Sequence, residues 1–134
     1  MRDKYKILVV NEEEMAEIKK LQELEDYKIE TVKTAIMAFE KVKSDKYHIV
    51  LIDIDMTDMD GIELLRKIKT YDALTQIVMM TNHSTMEKIL DSLEYGANDY
   101  IVNPFKNIKE LEKVIGYSIE KLERWRESII EIIK

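Results

Sequence analysis

The sequence predicts an α/β fold built on an open, parallel, doubly wound sheet, and three observations carry that expectation. Strand and helix patterns alternate five times along the chain. The central strand, entered through His48, is the continuous apolar run Ile49-Val50-Leu51-Ile52, which suits a strand buried on both faces. That run ends in Asp53, at the strand carboxyl edge where such sheets place their chemistry.

The elements follow in order. Tyr5 to Val10 reads as the first strand, and Glu12 to Tyr27 as a helix with Met15, Ile18, Leu21 and Leu24 at helical spacing. Ile29 to Val32 is a weaker strand, followed by a helix from about Thr34 containing Ile36, Met37, Phe39 and Val42. After Asp53, Asp60-Gly61 reads as a turn and cap opening a helix over Ile62 to Tyr71, with Ile62, Leu65 and Ile68 on one face. Ile77 to Thr81 is the fourth strand. Ser84 and Glu87 have capping-box spacing for the next helix, which Gly96 stops. Asp99 to Val102 is the fifth strand, and Asn107 with Glu110 opens the last helix. Alternation of this kind requires crossovers, so the strands run parallel and their carboxyl ends share one edge. Asn11-Glu12, Asp53, Thr81 and Asn103 each follow a strand and should therefore meet.

Composition bounds the possibilities. One domain of 134 residues is expected, soluble and cytoplasmic, with 46% hydrophobic and 36% charged residues. A net charge of −6 argues against direct contact with nucleic acid or an anionic membrane. The absence of cysteine excludes disulfides, thiolate catalysis and zinc–thiolate sites. No apolar stretch approaches the about 20 residues that cross a bilayer. The three glycines stand alone at 61, 96 and 116, so no phosphate-cradling loop is present. Asp53, Asp55 and Thr57 begin like a calcium loop, but Asp58 and Leu64 occupy the positions of its glycine and its last acid.

Glu12 and Asp53 are candidates to share a divalent cation, since Mg²⁺ takes hard oxygen ligands, commonly one or two carboxylates completed by water and phosphate oxygens. With that charge screened, Asp53 could attack phosphorus, and Thr81 could offer its hydroxyl to the transferred group. Plainer roles compete: Asp53 as a turn residue, Asn11 and Glu12 as helix caps (Asn11 and Glu14 also have capping-box spacing), and Thr81 as a strand end. Asn82 and His83 follow Thr81; His83 could line the same edge, although an exposed loop residue is the plainer reading.

Taken together, these residues resemble the receiver domain of two-component response regulators over about residues 4 to 120. The resemblance rests on Lys6-Ile7-Leu8-Val9-Val10-Asn11-Glu12, on Val50 to Asp53 with Met56 to Gly61, on Met79-Met80-Thr81, on Tyr95 to Tyr100, and on Val102-Asn103-Pro104-Phe105. It implies a five-stranded sheet of order 2-1-3-4-5. It also implies that Asp53 accepts a phosphoryl group from a histidine kinase or phosphotransfer protein, without the chain being an enzyme in its own right. Glu12, Asp53 and the backbone carbonyl of Asp55 would hold Mg²⁺. Thr81 and Tyr100 match the family's switch pair, which reshapes the face of the fourth helix, fifth strand and fifth helix.

The chain departs from the family pattern. Asn11 and Glu12 stand where two adjacent acids are usual, Thr57 where proline is common, and Asn103 where the family has a lysine. An amide cannot neutralise a phosphoryl charge, and charge-assisted hydrogen bonds are about twice as strong as neutral ones. The resemblance thus implies an atypical receiver with weakened Mg²⁺ binding and altered phosphorylation, with a phosphorylation-independent interaction module as the alternative. The Asn103-Pro104 bond is expected to be cis, as in the family. Finally, Leu111, Ile115, Ser118, Leu122, Trp125, Ile129 and Ile132 follow coiled-coil spacing along a helix of about 40 Å. We expect a receiver over residues 1–121, with 122–134 extending the last helix for dimerisation or signalling to a downstream domain.

Overall fold

The chain runs β1 (Tyr5–Val10), α1 (Ala16–Gln22), β2 (Tyr27–Val32), α2 (Ala35–Ser44), β3 (Ile49–Asp53), α3 (Gly61–Tyr71), β4 (Gln76–Thr81), α4 (Met86–Glu94), β5 (Asp99–Val102), a 3₁₀ turn (Pro104–Lys106) and α5 (Ile108–Ile133). The computed structural model describes residues 5–13, 16–106 and 108–133. The expected roles of Glu14, Met15 and Asn107 fall outside that set. All strand pairs are parallel, in the order β2-β1-β3-β4-β5. This is the doubly wound sheet the alternating pattern predicts.

Alternate residues of each buried strand feed two separate cores, as the period of two requires. On one face Leu8, Val10, Val50, Ile52, Ile77 and Met79 meet Ala35, Ala38 and Val42 of α2 and Leu64, Leu65 and Ile68 of α3. On the other, Ile7, Val9, Ile49, Leu51, Val78 and Met80 meet Ile18 and Leu21 of α1 and Leu111, Val114 and Ile115 of α5. The register sets Val10 beside Ile52, Asp53 beside Met80, and Thr81 beside Val102. Four strand ends therefore share one edge.

Several local expectations change. The first helix ends at Gln22, well before Tyr27, because Glu23, Glu25 and Asp26 are poor company for a helix carboxyl terminus. Tyr27 instead joins β2, opposite Tyr5. In α2 the core side is Ala35, Ala38 and Val42, leaving Ile36 and Met37 exposed. The cap of α4 is Thr85, whose side chain accepts from the Lys88 amide at 3.2 Å, rather than Ser84. No described peptide bond is cis, so Asn103-Pro104 is trans. The chain turns at Asn103 by adopting φ 51°, a left-handed conformation that Asn tolerates better than most residues.

The last helix behaves in two halves. Leu111, Ile115, Ser118 and Leu122 are buried, while Trp125, Ile129, Ile130, Ile132 and Ile133 are exposed. Among the described residues no helix is long and apolar enough to cross a membrane.

Candidate functional site

The loops after β1, β3, β4 and β5 enclose a cleft of about 220 Å³ at the carboxyl edge of the sheet. It is lined by Asn11, Glu12, Asp53, Asp55, Thr81, Asn82, His83 and Pro104, together with Glu13, Met80 and Phe105. Of the predicted site residues, only Tyr100 and Asn103 lie outside this lining.

Asp53 is fixed by its backbone. Ile54 N donates to Met80 O at 2.9 Å, and Gly61 N donates to Ile54 O at 3.1 Å. A Cβ on Gly61 would lie 2.7 Å from Asp53 O and from Ile54 Cα, so α3 can start this close to Asp53 only with glycine there. Asp60, beside it, caps α3 by accepting from Ile62 N at 2.9 Å. The Asp53 carboxylate accepts from Asp55 N at 3.0 Å. Burial raises its pKa, and the charges of Asp55, Glu12 and Glu13 push the same way, against that one backbone hydrogen bond. Negative charge is thus concentrated around a half-buried carboxylate.

Asn11 and Glu12 each have a local partner. Asn11 Oδ1 accepts from Glu13 N at 3.1 Å. Glu12 Oε1 accepts from both the amide and the hydroxyl of Thr57, tying the β1 loop to the β3 loop. Asp58, in the same β3 loop, accepts from Ala35 N and Ile36 N, both at 3.1 Å, and so caps α2 from outside. Burial works against its ionisation, but these amides hold its pKa below the usual carboxylate value.

On the far side, Thr81 Oγ1 donates to Asp55 Oδ2 at 3.1 Å and accepts from His83 N at 3.1 Å. The ammonium of Lys88 lies 3.0 Å from Asp55 Oδ1, 2.6 Å from His83 O and 3.4 Å from Thr81 Oγ1. The Tyr100 hydroxyl shares a 3.0 Å hydrogen bond with Ser84, and its half-buried ring packs against the α2–α3 core. Asn103 contributes through its backbone, its amide donating to Thr81 O at 2.8 Å. Sequence reasoning missed Lys88, Asp58 and Ser84 as neighbours of the site, and Thr57 as the partner of Glu12. Only Lys88 carried a signal, being a cation in the first turn of a helix, where the dipole disfavours one.

A half-buried carboxylate, neighbouring acids and a strand-end hydroxyl at the carboxyl edge of a β2-β1-β3-β4-β5 sheet are the features of a receiver-type signalling domain. The response regulator receiver domain family matches residues 7–115, and the chain belongs to that family. The chemotaxis protein CheY of Bacillus subtilis (strain 168) is 38% identical over 77 residues, covering 58% of this chain and 64% of that protein. A CheY-like receiver domain protein from Methanospirillum hungatei JF-1 has a TM-score of 0.83 at 29% identity, covering 91% of this chain and 98% of that one. The response regulator TrrA of Thermotoga maritima, solved in complex with Mg(2+)-BeF, has a TM-score of 0.75 at 30% identity, covering 85% and 98%. The chain spans 18%, 25% and 22% of three longer regulatory proteins that it also matches.

Among the described residues no three acidic or histidine side chains are grouped to hold a metal ion. Glu12, Asp53 and Asp55 line one cleft, but Glu12 is turned to Thr57 and Asp55 to Thr81 and Lys88. The donor set suits a hydrated Mg²⁺ on one or two carboxylates rather than a cage closed by protein ligands.

Proposed function

We propose that this chain is a phosphorelay receiver in which Asp53 accepts a phosphoryl group from a phosphohistidine on a kinase or phosphotransfer protein. The observation that carries this reading is the half-buried Asp53 carboxylate, under the charges of Asp55, Glu12 and Glu13 and lining one cleft with Thr81. An Asp53 oxygen attacks phosphorus as the bond from phosphorus to the donor imidazole nitrogen breaks. The imidazole, protonated on its other nitrogen, leaves with the bonding pair as the neutral ring, and Asp53 becomes an acyl phosphate. Bound Mg²⁺, held by Glu12, Asp53 and the Asp55 carbonyl with water, would neutralise charge on the phosphoryl oxygens.

The new phosphoryl oxygens compete with Asp55 for the Thr81 hydroxyl. Movement of Thr81 draws the β4–α4 loop with it, and the Ser84–Tyr100 hydrogen bond makes Tyr100 part of the same adjustment. The surface best suited to report the change is α4, which exposes Met86, Leu90 and Leu93. Beyond Leu122, the exposed Trp125, Ile129 and Ile132 suit self-association or connection to a downstream domain of a longer cytoplasmic regulator. Sedimentation of the full chain against one ending at Lys121 tests self-association, and identical monomers would count against it.

Asn11 and Asn103 favour a second reading, a receiver-like module that acts by binding alone. Incubation with Mg²⁺ and acetyl phosphate, followed by intact mass measurement, separates the two. The expected result is a gain of one phosphate that Asp53→Asn abolishes. No gain, even with a cognate kinase, would favour the binding module.

A further inference from the structure

We propose that Lys88 is the cation that binds the phosphoryl oxygens at this site, taking over from α4 the work that the family's lysine does from the position of Asn103. The inference rests on Asp53 being the phosphoacceptor. Asn103 brings no charge, and its left-handed backbone at φ 51° suits Asn better than a longer side chain. Lys88 does not line the cleft, yet its ammonium contacts three residues that do: Asp55, Thr81 and His83. Its ion-pair partner in the resting site is Asp55, at 3.0 Å.

The placement is costly unless it serves something. A lysine in the first turn of a helix opposes the helix dipole, and the position is firmly held. Thr85 accepts from the Lys88 amide at 3.2 Å, and Ser92 Oγ donates to Lys88 O at 2.7 Å. The side chain is only 23% exposed and turns back toward the sheet edge, where Asp55 compensates it. Asp55 thus clasps both the hydroxyl and the ammonium, Oδ2 on Thr81 and Oδ1 on Lys88.

A phosphoryl group carries roughly −1.5 to −2 charges and three acceptor oxygens, against one charge on Asp55. Thr81 and Lys88 therefore pass together from Asp55 to the phosphoryl oxygens. Because Lys88 belongs to α4, that transfer acts on the helix itself and not only on the loop before it. Phosphorylation would then be coupled to the apolar face of Met86, Leu90 and Leu93 through a second, electrostatic link beside Thr81.

Beryllofluoride, a phosphoryl mimic, provides a readout without turnover. Its affinity for the full chain with Mg²⁺ is measured by titration calorimetry for wild type, Lys88→Gln, Lys88→Arg and Lys109→Gln, the last making the same charge change on exposed α5. Loss of one charge-assisted hydrogen bond should weaken Lys88→Gln by about tenfold or more. Lys88→Arg should stay within about threefold of wild type and Lys109→Gln should be unchanged, since neither removes the cation from the site. Acyl phosphate formed from acetyl phosphate should accumulate less in Lys88→Gln alone. Equal beryllofluoride affinity in wild type and Lys88→Gln would overturn the assignment while leaving the phosphoacceptor reading intact. A wild type that takes neither beryllofluoride nor phosphate would overturn both.

Discussion

The helices α3 and α4 follow the two strands that carry Asp53 and Thr81, yet they are held very differently. Both are short and amphipathic. α3 buries Gly61, Leu64, Leu65 and Ile68, whereas α4 buries only Ser92 and leaves Met86, Leu90 and Leu93 between 55% and 69% exposed. What ties α4 to the domain is polar: Lys88 on Asp55, Ser84 beside it on Tyr100, and the Tyr95 ring under the Arg66 guanidinium at 4.7 Å. Asp53 thus precedes a helix anchored in the core, and Thr81 one held mainly at its surface. Local stability of this uneven kind is expected where one element must stay still and its neighbour must move.

The two helices should differ most under a pair of alanine substitutions read by chemical denaturation. Leu65→Ala in α3 removes a fully buried side chain and should cost about 2–5 kcal/mol. Leu90→Ala in α4 should change stability by no more than about 0.5 kcal/mol. Comparable losses would mean that the α4 face is covered in solution, by a second copy or another surface.

A smaller effect comes from the start of α3. Gly61→Ala places a Cβ against the backbone of Asp53 and Ile54, and overpacking of that sort costs about 1–3 kcal/mol. It should also slow reaction of Asp53 with acetyl phosphate, since the acceptor's own carbonyl is displaced. Gly116→Ala is the natural control. A Cβ at Gly116 would meet nothing within 4 Å, and this helical position should gain about 0.5–1 kcal/mol. If both glycines responded alike, close approach would not be what fixes α3 to Asp53.

The same contrast explains what could be read in the sequence. The apolar runs of β1, β3 and β4 and the acid after β3 announced the sheet and its edge, because a strand buried on both faces leaves little choice of residue. Asp53, Glu12 and Thr81 were legible from their places at strand ends. Lys88 left only the hint of a cation in a first helical turn, because its role depends on a side chain folding back across a loop, and spacing between a strand end and the next helix has no periodic signature. Asp58 capping α2 was silent, its partners lying 22 and 23 residues upstream. Ile36 and Met37 marked α2 correctly, yet both are exposed, since apolar residues at helical spacing say that a helix exists but not which face the domain covers. The cap of α4 was misplaced by one residue because Ser84 and Thr85 are chemically interchangeable there; only Tyr100 decides between them, by engaging Ser84.

A further predicted effect, read as a dependence on pH, concerns the far end of α3, where Lys69 is largely withdrawn from water and donates to Thr75 O at 2.8 Å and to Ala73 O at 3.3 Å. Burial lowers its pKa from 10.5 to about 8, with Asp72 acting in the opposite sense. In the unfolded chain this amine keeps its proton up to the ordinary lysine value, while in the folded chain it gives the proton up earlier. Between those two pH values the folded state binds fewer protons, so stability rises with pH across that window. Denaturation of wild type and Lys69→Met at pH 7, 8, 9 and 10 isolates the effect, since every other group titrates in both proteins. The wild type should gain on the variant from about pH 8 upward. A constant difference would mean that Lys69 is hydrated in solution. The α3 end would then be as open as the exposed face of α4, and the core anchoring of α3 would extend no further than the buried leucines and Ile68.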